Sequence, residues 1–317
     1  MLEILFCNVG DGDAVLVREW QEETPLFTLL VDSGRPFLEP KNGSLRKEAV
    51  YYLREYGVTR IDEFVLTHLH IDHVGGAGRI LETVPTCRLT ALYFPPEERL
   101  PLAPSFTSVD KTGNGLRHML SLYAELADKA ASRGVCLREA QAGTQMLTDR
   151  LRVTTILPRP GVIRRQQRAF DALYHGKPIP EEDVIKAAKE RNVSSLTLRL
   201  EYAGRSMLLT GDRYAADLEK EALAPCDVLK IPHHGDPKAL TEGLLEALSP
   251  KLAVISCQSD ADAKKDRPCM QTISLLRERK IPVLCTENKA VESLEASTHN
   301  GVRVAIGDDG ALSWETL

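Results

Sequence analysis

The apolar positions along the chain form two series of short strands, with helical segments between the strands of each series. Short apolar runs bounded by polar turns predict strands at 2–7, 14–20, 26–32, 61–67, 87–94, 135–139, 151–157, 194–202, 205–212, 227–232, 252–257, 281–286 and 302–306. Apolar residues at helical spacing predict helices at 44–56, 74–84, 116–133, 214–223, 238–248 and 269–279. Two series of strands with interleaved helices favour two packed β-sheets that carry their helices on the outside.

Residues 158–192 interrupt this pattern because they are polar, charged and rich in proline. They contain Arg164, Arg165 and Arg168 close together, and a run of this kind most often forms a solvated face. Only EEDVIKAAKE (181–190) has helical spacing in this region. We therefore predict a single domain over 1–317 with an insertion at about 158–192 that contains one helix.

Composition narrows the class of protein but does not define its function. The chain has 317 residues, 43% of them hydrophobic, and these are ordinary values for a globular protein. The net charge of -5 argues against a general affinity for nucleic acid, although it permits a local basic groove. The seven cysteines are scattered, which favours reduced thiols in a cytoplasmic protein. No apolar stretch is long enough for a signal peptide or a membrane span, so we expect no membrane association.

The stretch THLHIDHVGG (67–76) carries the strongest chemical signal in the chain. His68 and His70 alternate at a strand end, so both side chains can reach one metal ion. Asp72 and His73 lie in the turn that follows and can reach a second ion. Imidazole and carboxylate ligands without cysteine suit zinc, manganese or iron. The alternative is a surface or helix-capping role, which would not need this concentration of histidine.

Two later strand ends add further candidate ligands. LLTGD ends at Asp212, and DVLKIPHHG ends with His233 and His234. Asp212 has two carboxylate oxygens and can bridge two ions; its alternative role is that of a turn residue. For the histidine pair the alternative is packing at the strand end. Two adjacent ions would lower the pKa of a bridging water and stabilise both the attacking and the leaving oxygen, which serves hydrolysis and phosphodiester hydrolysis in particular.

THLHIDHVGG, LLTGD and LKIPHHG, in this order, resemble the motifs of the metallo-β-lactamase superfamily. The nearer similarity is to the hydrolase domain of competence DNA-uptake channel proteins and to related stand-alone hydrolases. It includes the VGDGD turn (9–13), the DSG turn (32–34) and NVSSL (192–196), and it extends from about residue 3 to 306. The implied fold is α/β (α+β), a four-layer αββα sandwich with a site for two divalent ions, zinc first and manganese second.

The resemblance also implies a role for each matched residue. The expected metal ligands are His68, His70, Asp72, His73, Asp212 and His233. His233 is preferred to His234 because it lies closer to the strand end; His234 is then expected behind the ligands or as a proton donor to the leaving group. Asp72 and His234 are the expected catalytic residues.

Four further positions complete the expected site. Asp13 and Asp32 are expected to accept hydrogen bonds from ligating imidazoles, although Asp13 is equally suited to a plain turn. Asn192 stands where many superfamily members have another histidine ligand, and Arg267 stands where relatives have a histidine before proline. Arg267 can pair with a phosphate through two N–H groups or remain a solvated loop cation. His118 and His175 could replace the missing ligand, but solvent-facing roles are expected for both.

Three functions are compatible with these residues. The favoured one is a dimetal phosphodiesterase or nuclease that acts on a small phosphodiester or on nucleic acid through a metal-bridging water or hydroxide. A hydrolase of carboxylic esters, lactones or thioesters is the second, and Asn192 argues against it because relatives of that kind usually keep the histidine. A non-catalytic, metal-stabilised regulatory protein is the third, and the intact ligand set argues against it.

Overall fold

The structure, a computed structural model, contains two β-sheets that pack face to face. It describes residues 1–38, 44–102, 111–161, 163–258, 267–287 and 299–317. The strands are β1 (Leu2–Cys7), β2 (Val15–Gln21), β3 (Thr24–Val31), β4 (Glu63–Leu66), β5 (Arg88–Ala91), β6 (Cys136–Glu139), β7 (Gln145–Leu147), β8 (Arg152–Leu157), β9 (Thr197–Tyr202), β10 (Arg205–Leu209), β11 (Val228–Lys230), β12 (Leu252–Ile255), β13 (Val283–Cys285), β14 (Gly301–Ile306) and β15 (Leu312–Thr316).

In the described ranges one sheet has the order β15-β14-β1-β2-β3-β4-β5-β6 and the other the order β13-β12-β11-β10-β9-β8-β7. The helices are α1 (Ala49–Glu55), α2 (Ile71–Val74), α3 (Ala77–Thr83), α4 (Lys111–Ser132), α5 (Arg164–Tyr174), α6 (Glu181–Lys189), α7 (Ala215–Leu218), α8 (Glu242–Leu248) and α9 (Met270–Glu278). Each sheet is mixed, because the meander β1-β2-β3 and the hairpin β9-β10 are antiparallel whereas β3-β4-β5-β6 and β10-β11-β12-β13 run parallel.

The main core lies between the two sheets. Alternate side chains of the first sheet, such as Ile4 and Val17, meet Leu198 and Met207 of the second. All four are buried, as expected where two sheets bury their inner faces against each other.

Helices cover the outer face of each sheet and complete four layers. Tyr52 of α1, Ile80 of α3 and Tyr123 of α4 belong to the core outside the first sheet. Leu244 of α8 and Ile273 of α9 belong to the core outside the second sheet. The predicted αββα sandwich is confirmed by this layering.

Some of the strands and turns were predicted from the sequence, and others were not. The predicted hairpin is present, and its turn residues Ala203 and Gly204 have the positive φ angles of 47° and 75° that a two-residue hairpin turn requires. The short strands β7 and β15 were not expected. The predicted strands near 135–139 and 151–157 lie in different sheets, because β6 pairs with β5 and β8 pairs with β7 and β9.

The 158–192 region connects β8 and β9, which are neighbours in the second sheet. It contains α5 as well as the predicted helix, which is α6. Phe170 of α5 and Ala187 of α6 pack with Leu120 of α4 and with Tyr93. The region is therefore anchored by an apolar cluster of its own against the helical layer of the first sheet.

The cysteines and the helices provide two further observations. All seven cysteines are free; five are buried, and Cys87 and Cys136 are exposed. In the described part of the chain, no helix is both long and apolar enough to cross a bilayer.

Candidate metal centre

The candidate ligands converge because they follow neighbouring strands at one edge of the sandwich. His68 and His70 follow β4, while Asp32 follows β3, the parallel neighbour of β4. In the other sheet Asp212 follows β10, and the histidine pair follows its parallel neighbour β11. Because parallel strands end at the same edge of a sheet, these side chains meet between the two sheets.

Glycine allows the loops at this edge to approach one another. A Cβ atom on Gly12 would lie 2.3 Å from the carbonyl oxygen of Asp72, and one on Gly76 would lie 2.3 Å from that of Ser33. The backbone N–H of Asp13 donates to the same Asp72 carbonyl at 3.2 Å. The loop that carries Asp72 is therefore packed directly against the first turn of the chain, at a distance that only glycine permits.

The first group of ligand atoms comes from His68, His70 and Asp212. Nε2 of His68 lies 2.9 Å from Nδ1 of His70 and 3.8 Å from Oδ2 of Asp212. Two ligands held at 2.0–2.1 Å by a tetrahedral zinc are roughly 3.3 Å apart, so these separations match one shared ion. His68 and Asp212 are buried, and His70 is partly exposed.

The second group comes from Asp72, His73 and His234, whose ligand atoms lie within 4.8 Å of one another. Nε2 of His73 is 3.2 Å and Nε2 of His234 is 3.6 Å from Oδ2 of Asp212. The carboxylate of Asp212 therefore lies between the two groups, in the position expected of a bridging ligand.

The two adjacent histidines exchange their expected positions. His234 belongs to the buried group, and its Nδ1 donates to the carbonyl of Ser256 at 3.1 Å, which leaves Nε2 directed at Asp212. His233 lies at the rim, with Nδ1 2.6 Å from Asp236 and Nε2 3.8 Å from Asp212. Distance from the strand end was a poor guide, because both histidines have positive φ angles (47° and 57°) in the turn Pro232–Gly235 and the chain reverses there.

Asp32 forms hydrogen bonds with the candidate ligand His73 and with Thr67. It is buried, and Oδ2 accepts a hydrogen bond from Nδ1 of His73 at 2.8 Å. The same oxygen accepts the Thr67 hydroxyl at 2.7 Å, and Oδ1 accepts the Thr67 backbone N–H at 2.8 Å. The hydroxyl oxygen of Thr67 in turn lies 3.1 Å from Nδ1 of His68. One carboxylate thus fixes the ring of His73 directly and that of His68 through Thr67.

Asp13 does not make the expected hydrogen bond to a histidine. It lies 3.8 Å from Nδ1 of both His73 and His234, which is beyond hydrogen-bond distance. Its carboxylate instead pairs with the buried ammonium group of Lys230, the last residue of β11. Lys230 contacts Oδ2 of Asp13, whereas Oδ1 is buried without a hydrogen-bond partner and lies near Asp212 and His234.

Asn192 and Arg267 both lie against His233 at the rim. Nδ2 of Asn192 donates to the hydroxyl of Tyr214 at 3.0 Å and lies 3.3 Å from Nε2 of His233. Arg267 contacts the same Nε2 and lies 3.6 Å from Oδ2 of Asp236. Asn192 therefore does not join either ligand group, and Arg267 already has a carboxylate neighbour.

Burial keeps three of the imidazoles neutral, as metal ligands must be. Burial lowers the pKa of His68 well below its usual value, and the neighbouring His73 adds to the effect. Burial and the charge of Arg191 lower the pKa of His70 to about 3. Burial also lowers the pKa of His234, against the opposing effect of Asp212.

At the centre of the site the pKa shifts favour the charged forms of His73 and Asp212. Burial would lower the pKa of His73, but the carboxylates of Asp212 and Asp32 outweigh it and hold that pKa well above its usual value. Burial would raise the pKa of Asp212, but His73 and His234 outweigh it and hold that pKa well below its usual value.

The donor set fits divalent metal ions. Among the described residues, Nε2 of His234 and Oδ1 of Asp212 are buried without a hydrogen-bond partner. An unpaired buried polar atom costs about 1–3 kcal/mol, and coordination to an ion would remove this cost. Imidazole nitrogens and carboxylate oxygens without thiolate are the ligands of zinc and manganese hydrolases.

Several residues near the site were not predicted from the sequence, because their positions are not distinctive. Lys230, Tyr214 and Arg191 lie within or beside the site, yet each occupies an ordinary position in a strand, a turn or the end of a helix. His118 and His175, the alternative ligands, are exposed as expected and lie outside both ligand groups.

Fold and site together define a class of protein. The family model of the metallo-beta-lactamase superfamily matches residues 7–259, and the chain belongs to this superfamily of metal-dependent hydrolases. The chain is 25% identical over 303 residues to ComE operon protein 3 of Bacillus subtilis (strain 168). That match covers 90% of this chain and 32% of the relative, so the chain spans about a third of the relative's length. The resemblance noted from the motifs is confirmed by these two matches.

The solved structures to which the chain is similar include two bacterial proteins. The metallo-beta-lactamase fold protein YhfI from Bacillus subtilis gives a TM-score of 0.47 at 9% identity, covering 90% of this chain and 95% of YhfI. Zn(2+)-bound PqqB from Methylobacterium extorquens gives a TM-score of 0.45 at 12% identity, covering 90% of this chain and 98% of PqqB.

Proposed function

We propose that the protein is a dimetal phosphodiesterase or nuclease. The observation that carries the proposal is the pair of adjacent ligand groups with the Asp212 carboxylate between them. Two bound divalent ions, zinc first and manganese second, would supply an activated water and stabilise the attacking and leaving oxygens of a phosphodiester. The substrate is then a small phosphodiester or a nucleic acid.

The ligand assignment follows the geometry rather than the motif alone. His68, His70 and Asp212 would hold one ion and Asp72, His73 and His234 the other, with the Asp212 carboxylate shared between the two groups. Asp32 holds the rings of His73 and His68 in place through the contacts described above. Lys230 balances the charge of Asp13 behind this centre.

His233 takes the proton-donor role that the motif had suggested for His234. Its Nδ1 lies 2.6 Å from Asp236, an arrangement in which a carboxylate orients an imidazole for proton transfer. Its Nε2 faces Asp212 at 3.8 Å and contacts Arg267. Once Arg267 leaves this contact, Nε2 would take up a proton from solvent and then donate that proton to the leaving oxygen.

Metal content and turnover, measured on one sample, test the proposal. Protein purified without chelator is analysed for metals and assayed on bis-p-nitrophenyl phosphate with added zinc and with manganese. We expect about two ions per chain, with Asp212→Ala losing both bound metal and turnover. His234→Ala should lose one ion, whereas His233→Ala should keep both and lose turnover by about 10²- to 10⁴-fold.

The control is Asp149→Asn, because Asp149 is exposed and lies outside both ligand groups. Absence of both metal and turnover in the parent protein would overturn the proposal. Two ions with turnover of a lactone or thioester, but not of the diester, would favour the carboxylic ester class instead. Loss of an ion in His233→Ala but not in His234→Ala would reverse the assignment of the two histidines.

A further inference from the structure

Arg191 lies beside the metal centre, at the point where the 158–192 region returns to the sheet. It follows α6, and its Nε donates to the carbonyl of Ala188 at 3.0 Å. Its Nη1 donates to the carbonyl of Leu69, the residue between His68 and His70, at 3.2 Å. These two hydrogen bonds hold the guanidinium against the loop that carries the first ligand group.

In the part of the chain that the structure describes, the guanidinium of Arg191 forms no ion pair with a carboxylate. Arg267, by contrast, lies 3.6 Å from Oδ2 of Asp236. Burial lowers the pKa of Arg191 to about 10, and the more distant charge of Asp72 opposes the shift, so the group is cationic at neutral pH. Burial of a cation without a partner is costly, and a cation in this state attracts an anion.

The guanidinium also has donors to spare. An arginine has five N–H groups, and the two hydrogen bonds to Ala188 and Leu69 use two of them. The side chain is partly exposed, so the remaining N–H groups are not fully shielded from solvent. Arg191 and His68 border one cavity of about 20 Å³, which has room for little more than one water molecule. Arg191 therefore lies close to His68, although this cavity is too small for a phosphate and the anion must approach Arg191 from the solvent side.

We propose that Arg191 binds the anionic group of the substrate. Its N–H groups would donate to the non-bridging phosphate oxygens next to the His68–His70 ligand group. The inference rests on the proposed phosphodiesterase function and deepens it, since it names a residue that selects an anionic substrate. The planar guanidinium can offer two parallel N–H groups to a phosphate, which an ammonium cannot do.

The test compares Arg191→Met, Arg191→Lys and the control Arg168→Met. Arg168 belongs to the same region, carries the same charge and is exposed on α5. For each zinc-loaded protein we would measure kcat and KM on bis-p-nitrophenyl phosphate, the dissociation constant of inorganic phosphate by calorimetry, and bound metal by elemental analysis. Arg191→Met is expected to raise KM and the phosphate dissociation constant about 10- to 100-fold, with metal content unchanged. Arg191→Lys should fall between this variant and the parent protein, and Arg168→Met should match the parent.

A purely structural role for Arg191 gives a different result. If the two backbone contacts were its only task, Arg191→Met would lose metal or kcat while phosphate affinity stayed at the parent value, and the inference would be overturned. Unchanged phosphate affinity with unchanged turnover would overturn it as well. If the parent protein does not hydrolyse the diester, the proposed function has failed, but phosphate calorimetry on the parent and the variants still decides the role of Arg191.

Discussion

Replacing Asp32 with asparagine would test how strongly the metal centre depends on a group that does not face the ions. Asp32 accepts three hydrogen bonds at 2.7–2.8 Å, from Nδ1 of His73 and from the hydroxyl and N–H of Thr67. Asparagine has nearly the same shape but only one acceptor oxygen. If that oxygen keeps the Thr67 N–H, the amide nitrogen faces the ring of His73 and the Thr67 hydroxyl, so the chain that orients His73 and His68 is interrupted.

The size of the effect follows from the contacts that are lost. A hydrogen bond to a charged group contributes about 1.5–3 kcal/mol, and Asp32 is only 1% exposed, so solvent does not replace it. Loss of a group that orients a ligating histidine lowers metal affinity about 10- to 100-fold, which corresponds to about 1.4–2.8 kcal/mol. The two estimates agree in order of magnitude. We therefore expect zinc affinity to fall about 10- to 100-fold in Asp32→Asn.

Zinc affinity would be measured by competition with a chelating indicator, and urea unfolding of the metal-free protein would show that the variant is folded. Asp149→Asn is the matched control, since it makes the same chemical change at an exposed position. A folded Asp32→Asn protein with zinc affinity within about twofold of the parent would refute the reasoning, because the orienting contacts would then contribute nothing to metal binding.

Two further predictions concern stability. Phe170→Ala removes a buried ring that packs 5.7 Å from the ring of Tyr93, and we expect a loss of about 3–5 kcal/mol in urea unfolding, against less than about 0.5 kcal/mol for the exposed Leu147→Ala. A loss below about 1 kcal/mol would show that the cluster around α5 is not part of the cooperative core. Burial would raise the pKa of Asp227, but the contact with Lys251 outweighs this effect and lowers the pKa. The carboxylate therefore stabilises the fold at pH values above its unfolded pKa of about 3.9, and this stabilisation is lost as the pH falls through its folded pKa. The Tm of Asp227→Asn should accordingly lie below that of the parent at pH 7, by the equivalent of at most about 1 kcal/mol, and the gap should close in acid; a gap of equal size at low pH would contradict this.

The layered fold and the members of the ligand groups could be predicted because their signals are local. Runs of branched aliphatic residues define the strands, and His68, His70, Asp72, His73 and Asp212 each follow a strand end. Strand ends of a parallel arrangement meet at one edge, so sequence position already places these residues near one another. The structure brings all five together.

The orientation of the two adjacent histidines could not be predicted in the same way. Side-chain direction at His233 and His234 depends on two consecutive residues with positive φ, a conformation that few residues other than glycine adopt. The letters PHHG do not show which partner each ring will meet. Ser256, the partner of His234, is distant in sequence, and Asp236, the partner of His233, lies three residues later. A contact-dependent backbone conformation therefore decided which imidazole lies inside.

Helix α5 was missed although its signal is present in the sequence. Buried positions 166, 169, 170, 173 and 174 follow helical spacing, but they lie among arginines and near prolines, which made the region resemble a solvated loop. Overall polarity was given more weight than periodicity, and periodicity is the better indicator of an amphipathic helix.

The arginines of this region show why charge alone does not identify a binding residue. Arg164, Arg165 and Arg168 are exposed on α5, as expected of a solvated face, whereas Arg191 is partly buried and has no acidic partner among the described residues. The motif position drew attention to Arg267, yet Arg267 already contacts Asp236 and must leave that contact to bind an anion. What distinguishes Arg191 is the absence of a carboxylate partner in the described part of the chain together with a neighbouring ligand loop. Both properties arise from contacts between distant segments, so only the folded structure could single out this residue.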